Sequence, residues 1–337
     1  MSAKKDIIPV FVPHIGCKEL CVFCNQRKIS GSQKPYDRDD ILRLLDNTVF
    51  EEGREYELAF YGGSFTAIPL PQQIELLHAV REHIDKGLIS SIRISTRPDA
   101  INEEKLKILK DYSVKTIELG AQSMNDRVLS LSGRGHSAEA VIISSELIKK
   151  QGFKLGLQMM TGLPGSNDAT DIETAKKIAS LELDFVRIYP TVVVKGTALE
   201  QMLKEGNYKE HSVEDAVRVC AEIIPVFEKK GIKIIRLGLN PTEDLGENFV
   251  IGGAYHPALG ELANSRLMLN IVKEMLNKVI LEKDKTLKIY VNPKLISQLI
   301  GQRRANIVCL KKEYQIKEIK VIPKKELKGR DIEFAFV

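Results

Sequence analysis

Tryptophan is absent from this chain of 337 residues, aromatic residues reach only 6%, and no apolar run approaches the ~20 residues that a membrane-spanning helix needs. The chain is therefore expected to have no membrane partner. Its first residues, Met1-Ser2-Ala3-Lys4-Lys5-Asp6, lead straight into a strand-like run rather than an apolar leader, so the expected location is the cytoplasm. Cysteine is scarce and odd in number, with five in all, three of them in one loop and Cys220 and Cys309 alone. That pattern excludes the disulfide framework of a small secreted domain. Strong charge of one sign is also lacking, since the net is only +5. Its distribution is uneven, however: residues 283–337 carry 14 basic against 6 acidic side chains, or +8, and the other 282 residues carry 36 against 39, or −3. A basic tail on a slightly acidic body suggests an anionic partner for the tail, although a solvated lysine-rich face has the same composition.

What is present is regular. With 43% hydrophobic residues the chain has enough apolar mass for one large domain and a small one. Up to about residue 240, short β-rich runs alternate with amphipathic stretches. The expected strands are Ile7–Pro13, Glu57–Tyr61, Ser91–Ser95, Val114–Leu119, Lys154–Met159 and Asp184–Tyr189. The expected helices are Arg38–Asn47, Pro71–Asp85, Glu103–Asp111, Ala138–Gln151 and Thr170–Ser180. Such alternation predicts an α/β fold of parallel strands covered by helices, with the chemistry gathered at the C-terminal ends of the strands. The unusual residues do follow the strands: Cys17, Cys21 and Cys24 after the first, Tyr61-Gly62-Gly63-Ser64 after the second, Ser95-Thr96-Arg97-Pro98-Asp99 after the third, Gly120-Ala121-Gln122-Ser123 after the fourth, Gly162-Leu163-Pro164-Gly165 after the fifth. The sixth ends in Tyr189-Pro190-Thr191.

Three thiols spaced C-x3-C-x2-C can turn onto one metal centre, but three is too few for a closed structural zinc site. Thiolates suit zinc or iron–sulfur clusters, and a cubane cluster is normally held by four cysteines, so a three-thiol loop leaves one iron open for a substrate. Two other readings stand beside this one: His14 completing a His-Cys-Cys-Cys zinc site, or cysteines that are merely buried. The Gly62-Gly63 pair permits a tight turn whose carbonyls can accept bonds from an ammonium group, and by itself it is only a loop.

The thiol spacing, with Phe23 just before the third cysteine, resembles the signature of the radical S-adenosylmethionine (SAM) superfamily. That resemblance implies a 4Fe-4S cluster on Cys17, Cys21 and Cys24, SAM on its open iron, and a 5′-deoxyadenosyl radical released on reduction. It implies an electron donor such as ferredoxin or flavodoxin. It also implies a cofactor pocket built from Phe23, Gly62, Gly63, Ser64, Thr96, Glu118, Gln122 and Gly162. The ordered set of Phe11 to Cys17, Thr96 to Asp99, Glu118 to Ser123, Gly133-Arg134-Gly135-His136, Gly162 to Gly165, Ile188 to Thr191 and Lys195-Gly196-Thr197 is similar to the radical half of the elongator catalytic-subunit family, which modifies wobble uridines of tRNA. The fold implied is a partial (β/α)6 barrel over residues 1–240, followed by a barrel-closing loop and helix over 241–285. Members of that family continue into an acetyltransferase domain, and acetyl-CoA chemistry is not expected here. Tyr189, Lys195 and His136 are the catalytic candidates, with Arg97 and Arg134 beside them on the rim.

Residues 286–337 read as strand, two helices and two strands, a small α+β unit with Ile300-Gly301-Gln302-Arg303-Arg304 between the helices. This resembles a KH domain, whose Gly-x-x-Gly loop clamps single-stranded nucleic acid, with Arg304 in place of the second glycine. The implied RNA contacts are Gln302, Arg303, Arg304, Lys311 and Lys312. The expected function is a radical SAM transferase or oxidoreductase that modifies tRNA or rRNA. Two alternatives remain: a small-molecule or porphyrin-like substrate, suggested by likeness to oxygen-independent coproporphyrinogen oxidases, and an iron–sulfur RNA-binding sensor without turnover.

Overall fold

The computed structural model of the chain describes residues 5–12, 16–17, 21–25, 35–239, 249–280 and 285–337. His14, and with it the zinc quartet, lies outside them, as do most of residues 240–249. The chain divides into two compact units, one formed by Met1–Ser212 with Val226–Tyr255 and the other by Val213–Pro225 with His256–Val337.

In the first unit seven strands form one curled sheet in sequence order: β1 (Lys5–Phe11), β2 (Glu55–Tyr61), β3 (Ser91–Thr96), β4 (Val114–Gln122), β5 (Lys154–Thr161), β6 (Phe185–Pro190) and, after the short β7 (Val192–Val194), β8 (Lys233–Leu237). Every neighbouring pair in that sheet is parallel. Parallel pairing needs a crossover, and the helices supply it: α1 (Arg38–Asp46), α2 (Leu70–Asp85), α3 (Glu103–Asp111), the short α4 (Asp126–Leu131), α5 (Ala138–Lys150) and α6 (Asp168–Ala179). Their starts are written in the sequence. Asp37, Asn102, Asn125, Ser137 and Asn167 each cap a helix by accepting from a backbone N–H in its first turn. The strand faces that meet the helices are uniformly apolar, with Leu58, Phe60, Ile92, Ile94, Ile117, Leu119, Leu155, Leu157, Val186 and Ile188 fully buried.

Six expected strands and five expected helices are thus present, with boundaries displaced by a few residues. The seventh strand, β8, escaped the sequence reading because Lys-Ile-Ile-Arg-Leu is short and follows a helix through Glu228 without a strong turn signal. Residues Val250–Gly253 form β9, which pairs antiparallel with β7. After α7 (Ala198–Lys204) and α8 (Val213–Glu228) comes α9 (Leu259–Leu276), which falls in the second compact unit. The reason is packing, since Met268, Leu269, Val272 and Leu276 share one core with Leu287, Ile289 and Val291. His256, too, is structural, its Nδ1 accepting from Ala258 N at 3.0 Å.

The second unit has β10 (Thr286–Val291) at the centre, β11 (Glu318–Pro323) parallel to it and β12 (Ile332–Phe336) antiparallel. Between β10 and β11 come α10 (Ile296–Ile300) and α11 (Ala305–Tyr314), the expected strand–helix–helix–strand order. Buried Asn306 ties the helices together, its amide donating to Gln298 O at 3.1 Å and to Ser265 O of α9 at 2.9 Å.

The concave face of the large sheet is charged. Glu57 accepts from Arg93, with Nη2–Oε2 at 2.7 Å, and pairs with Lys5 at 3.2 Å. Arg93 reaches Glu118 at 2.7 Å, Arg187 reaches the other Glu118 oxygen at 2.8 Å, and Arg187 Nη2 donates to Tyr61 Oη at 3.1 Å. The carboxylates of Glu57 and Glu118 are 0% and 1% exposed, so this ladder is buried charge held by pairing. Burial pushes the Glu57 carboxyl up, but Arg93 and Lys5 outweigh it and hold the group below its ordinary value. Removing Glu118 leaves Arg187 without a carboxylate and Arg93 with Glu57 alone. We expect Glu118→Ala to destabilise the fold by about 3–5 kcal/mol in urea unfolding, and Arg187→Met with it to recover part of that loss, because the second change removes an unpaired buried cation.

Candidate active site on the rim of the half-barrel

The three-thiol loop is fastened to the rim of the sheet at several points. Gly16, at φ +75°, lies so close to the turn after β2 that a Cβ there would stand 2.2 Å from Ser64 O. Any side chain at this position would push the loop off its seat. The Cys17 thiol takes a hydrogen bond from the Ser64 backbone N–H; desolvation and the neighbouring Cys21 raise its pKa, against the pull of Arg134 and Arg97. Cys21 Sγ accepts from Arg134 Nη1 at 3.1 Å, and Arg134 Nη2 donates to Gly120 O at 2.7 Å. Val22 N donates to Ser132 O at 3.1 Å, Leu199 N donates to Val22 O at 2.8 Å, and Cys24 N donates to Cys21 O at 3.0 Å. Phe23 packs against Val128, Met160, Leu163 and Tyr189 on one side and against Val193, Leu199 and Tyr208 on the other. Among the described residues no three His, Cys, Asp or Glu side chains converge on a single ion.

Next to the loop, Ser64 and Thr96 have their hydroxyls in a buried knot. Thr96 Oγ1 lies 3.0 Å from Ser64 Oγ and 2.6 Å from Thr66 Oγ1, and Arg97 N donates to Ser64 Oγ at 3.1 Å. These side chains lock the ends of β2 and β3 together, leaving the Gly62-Gly63 turn, with Gly62 at φ +89°, to present backbone. Glu118 takes another role from the one expected. Arg93, Arg187 through two nitrogens, and Gln158 Nε2 at 3.1 Å fill its four acceptor positions. It is the centre of the ladder below the rim.

Gln122, expected in the cofactor pocket, has a constrained backbone. It ends β4 at a register shift, holds φ +64°, an unusual backbone for a non-glycine residue, and is 8% exposed with Oε1 lacking a partner. Ser95 Oγ, Arg134 Nε and His136 Nδ1 are likewise buried without partners among the described residues. Natural proteins seldom leave such atoms unpaired. These atoms belong to residues at the ends of β3 and β4 and on the segment that brings Arg134 to Cys21.

Gly162 is fixed from both sides, its N–H donating to Asp171 Oδ2 at 2.8 Å and its carbonyl accepting from Tyr208 Oη at 2.7 Å. Burial pushes Asp171 up to about 7 despite that bond. Tyr189 lies beside Phe23, and burial, assisted by Glu118, pushes its hydroxyl above its ordinary value. Lys195 is exposed at the end of β7, its backbone amide bonded to Phe249 O at 2.9 Å, and the structure does not bring its side chain into the group around Cys21. His136 is an anchor, with Nε2 3.2 Å from Ala121 O and its pKa pushed down to about 4 by burial and by Arg134. A neutral, tethered imidazole orients the Arg134 loop.

A family model described as the Radical SAM superfamily matches residues 11–178, and the Radical_SAM C-terminal domain matches residues 183–268. The chain belongs to the radical SAM superfamily. Radical SAM enzymes use a 4Fe-4S cluster and SAM, and the residues here fit both. The soft donors are three thiols, two of them steadied by N–H groups, and the orphaned polar atoms lie beside them. An uncharacterised protein of Methanocaldococcus jannaschii is 33% identical over 60% of this chain and 66% of its own. A tRNA uridine(34) acetyltransferase of Methanocaldococcus infernus is 30% identical over 61% of this chain and 41% of its own. The chain therefore spans less than two thirds of each of these relatives. An archaeal Elp3 structure from Methanocaldococcus infernus superposes with a TM-score of 0.60 over 82% of this chain and 64% of that one, at 23% identity, a likeness of fold.

The sequence reading missed Lys5, Glu57, Arg93 and Arg187, which carry the radical SAM barrel's inner charge, and Gln158, whose amide donates to Glu118. A signal was there: each is a polar side chain inside an otherwise apolar strand, and inward charges of alternating sign on successive strands must pair. His136 gives a pH test. Its folded pKa lies below the ordinary 6.5, so the unfolded chain binds the proton first and stability falls as pH drops from about 6.5 to about 4. Thermal melts across that window should be less steep in pH for His136→Gln than for the native chain, and an unchanged difference between them would reject the assignment.

Proposed function

We propose that this radical SAM enzyme modifies RNA, with the half-barrel presenting the radical chemistry and the basic second unit holding the RNA. Cys17, Cys21 and Cys24 would hold the 4Fe-4S cluster. Bound there and reduced by a donor of the ferredoxin or flavodoxin class, it supplies reductive cleavage of the SAM sulfonium to a 5′-deoxyadenosyl radical. The chain's own residues do the remaining work. Arg134 steadies the Cys21 thiolate and the Gly120 carbonyl together. The Gly62-Gly63 backbone accepts the ammonium group, and Gln122 and Ser95 supply polar atoms for the ribose. Val22 and Phe23 seal the loop against water through the apolar side chains around them.

The RNA half of the reading rests on the second unit and on the relatives' activity. Between its two helices, Gly301-Gln302-Arg303-Arg304 is an exposed turn apart from buried Gly301, with φ +74° at Gly301, +49° at Arg303 and +61° at Arg304. Two consecutive arginines in this left-handed backbone stand where a KH-like unit grips phosphate, and Lys311 and Lys312 are exposed on the helix that follows. A tRNA-modifying protein and elongator complex protein 3 from cattle, the latter 29% identical over 72% of this chain and 47% of its own, are among its relatives.

The observation that carries the proposal is the contact of Arg134 with Cys21 beside the unpartnered Gln122. Anaerobic reconstitution should load about four irons per chain, and dithionite with SAM should release 5′-deoxyadenosine. Cys21→Ala should abolish both; tight zinc without cleavage would sink the enzyme reading. Single-stranded RNA should bind with a log Kd that rises with log salt, and Arg303→Gln with Arg304→Gln should lower that slope by about 0.7 per lost phosphate contact.

A further inference from the structure

The three-stranded sheet of the second unit has two faces, and only one is occupied by the core. Leu287, Ile289, Val291, Ile319 and Ile332 point into the hydrophobic cluster shared with α9, α10 and α11, and Val321, Phe334 and Phe336 pack against it. The alternate residues make the opposite face. There Lys288 is directly opposite Lys320 on β11 and Ala335 on β12, and Tyr290 is directly opposite Ile322 and Glu333. Lys320 and Glu333 are exposed, and Lys288, Tyr290, Ile322 and Ala335 are half-buried.

Several features of this face are costly unless something binds it. Two lysines in register on neighbouring strands repel each other. Glu318 offsets part of this at Lys320, at 3.4 Å, while Lys288 has no carboxylate partner among the described residues. Tyr290, on the central strand, has no hydrogen-bond partner for its hydroxyl among the described residues; Ile322 stands across from it on β11 and Glu333 on β12, with Ala335 on the diagonal. Lys324, at the end of β11, pairs with Glu333. Lys288 stands two residues from Tyr290 on the same strand, about 7 Å away, and Lys320 one strand beyond Lys288, about 5 Å further across, so that a stacking surface lies beside two cations.

We infer that this open face is a second single-stranded RNA contact, in which a base stacks on Tyr290 and Ile322 while Lys288 and Lys320 take the adjoining phosphates. The inference rests on the RNA reading above and is separate from the Gly301–Arg304 turn, because those residues join the helices on the covered side. Stacking is tolerant of sequence, so this face would add affinity and register to the loop without reading a particular base. RNA is favoured over an acidic peptide by the half-buried Tyr290 ring with Ile322 beside it, a stacking surface that a carboxylate chain does not use, and by Glu333 next to the ring, which repels carboxylates.

The absence of tryptophan makes a clean test, since Tyr290→Trp places a single indole in the full-length chain. Titration with a fluorescent, unstructured RNA 12-mer, followed both by anisotropy and by quenching of that indole, should give one Kd from the two signals. Tyr290→Phe should bind like the native chain, and Tyr290→Ala should weaken binding roughly ten- to a hundred-fold. Lys288→Gln, a change of a surface side chain, should lower the salt slope by about 0.7. If anisotropy reports binding that depends on Arg303 and Arg304 while the indole is unquenched and Lys288→Gln is silent, the face is overturned and the RNA reading stands. Equal quenching by a poly-glutamate peptide would overturn it as well, reducing the face to a non-specific cation patch. If the native chain binds no RNA by anisotropy, the RNA reading fails first and this inference falls with it.

Discussion

Everything on the rim of the first unit depends on a pairing made below it, where Glu118 receives both Arg93 and Arg187. A parallel half-barrel leaves one face of its sheet without helices, and a charged inner face is stable only if each charge meets its opposite. Here the signs alternate, Lys5 to Glu57 to Arg93 to Glu118 on β1 to β4, and then Glu118 reaches across β5, whose neutral Gln158 donates to it, to Arg187 on β6. The last step passes to Tyr61, whose ring also lies under the Arg187 guanidinium at 5.5 Å. Tyr61 is followed directly by Gly62-Gly63. The ladder thus fixes the turn that the thiol loop leans on.

The described residues of the thiol loop, 16–17 and 21–25, are held by four neighbours. Ser64 N–H holds Cys17, Arg134 holds Cys21, and the backbone of Val22 is clasped between Ser132 and Leu199. Arg134 is itself oriented by the tethering of His136 to Ala121. The sulfurs are therefore placed by elements that follow β2, β4 and β7, and a change at any one of these reaches the cluster ligands without touching a cysteine.

The second unit solves a different problem with the same means. Its three strands are too few to bury a core alone, and α9 supplies the missing apolar surface, while Asn306 fastens three helices by donating to Ser265 O in the middle of α9 and to the carbonyls of Gln298 and Leu299 in the last turn of α10. The result presents basic residues on a helix–helix turn and on the free face of the sheet. Its excess of positive charge is thereby spread over two surfaces rather than one.

Much of this was legible in the sequence. The alternation of apolar and amphipathic segments fixed the α/β class and six of the seven parallel strands, because periodicity and capping residues are local. The spacing of Cys17, Cys21 and Cys24 pointed to their chemistry, because three soft donors in one loop have few other uses. The roles of single side chains were less legible: Glu118, Ser64 and Thr96 read as cofactor-pocket residues, Lys195 and His136 as catalysts. Only the fold shows that Arg93 and Arg187 fill the acceptor positions of Glu118, that Ser64 and Thr96 spend their hydroxyls on each other, and that α9 belongs with the last three strands. The chain by itself determined which elements form and where the thiols fall; the tertiary structure decided which polar groups are already satisfied, since a hydrogen-bond partner distant in sequence is chosen by strand register and helix packing.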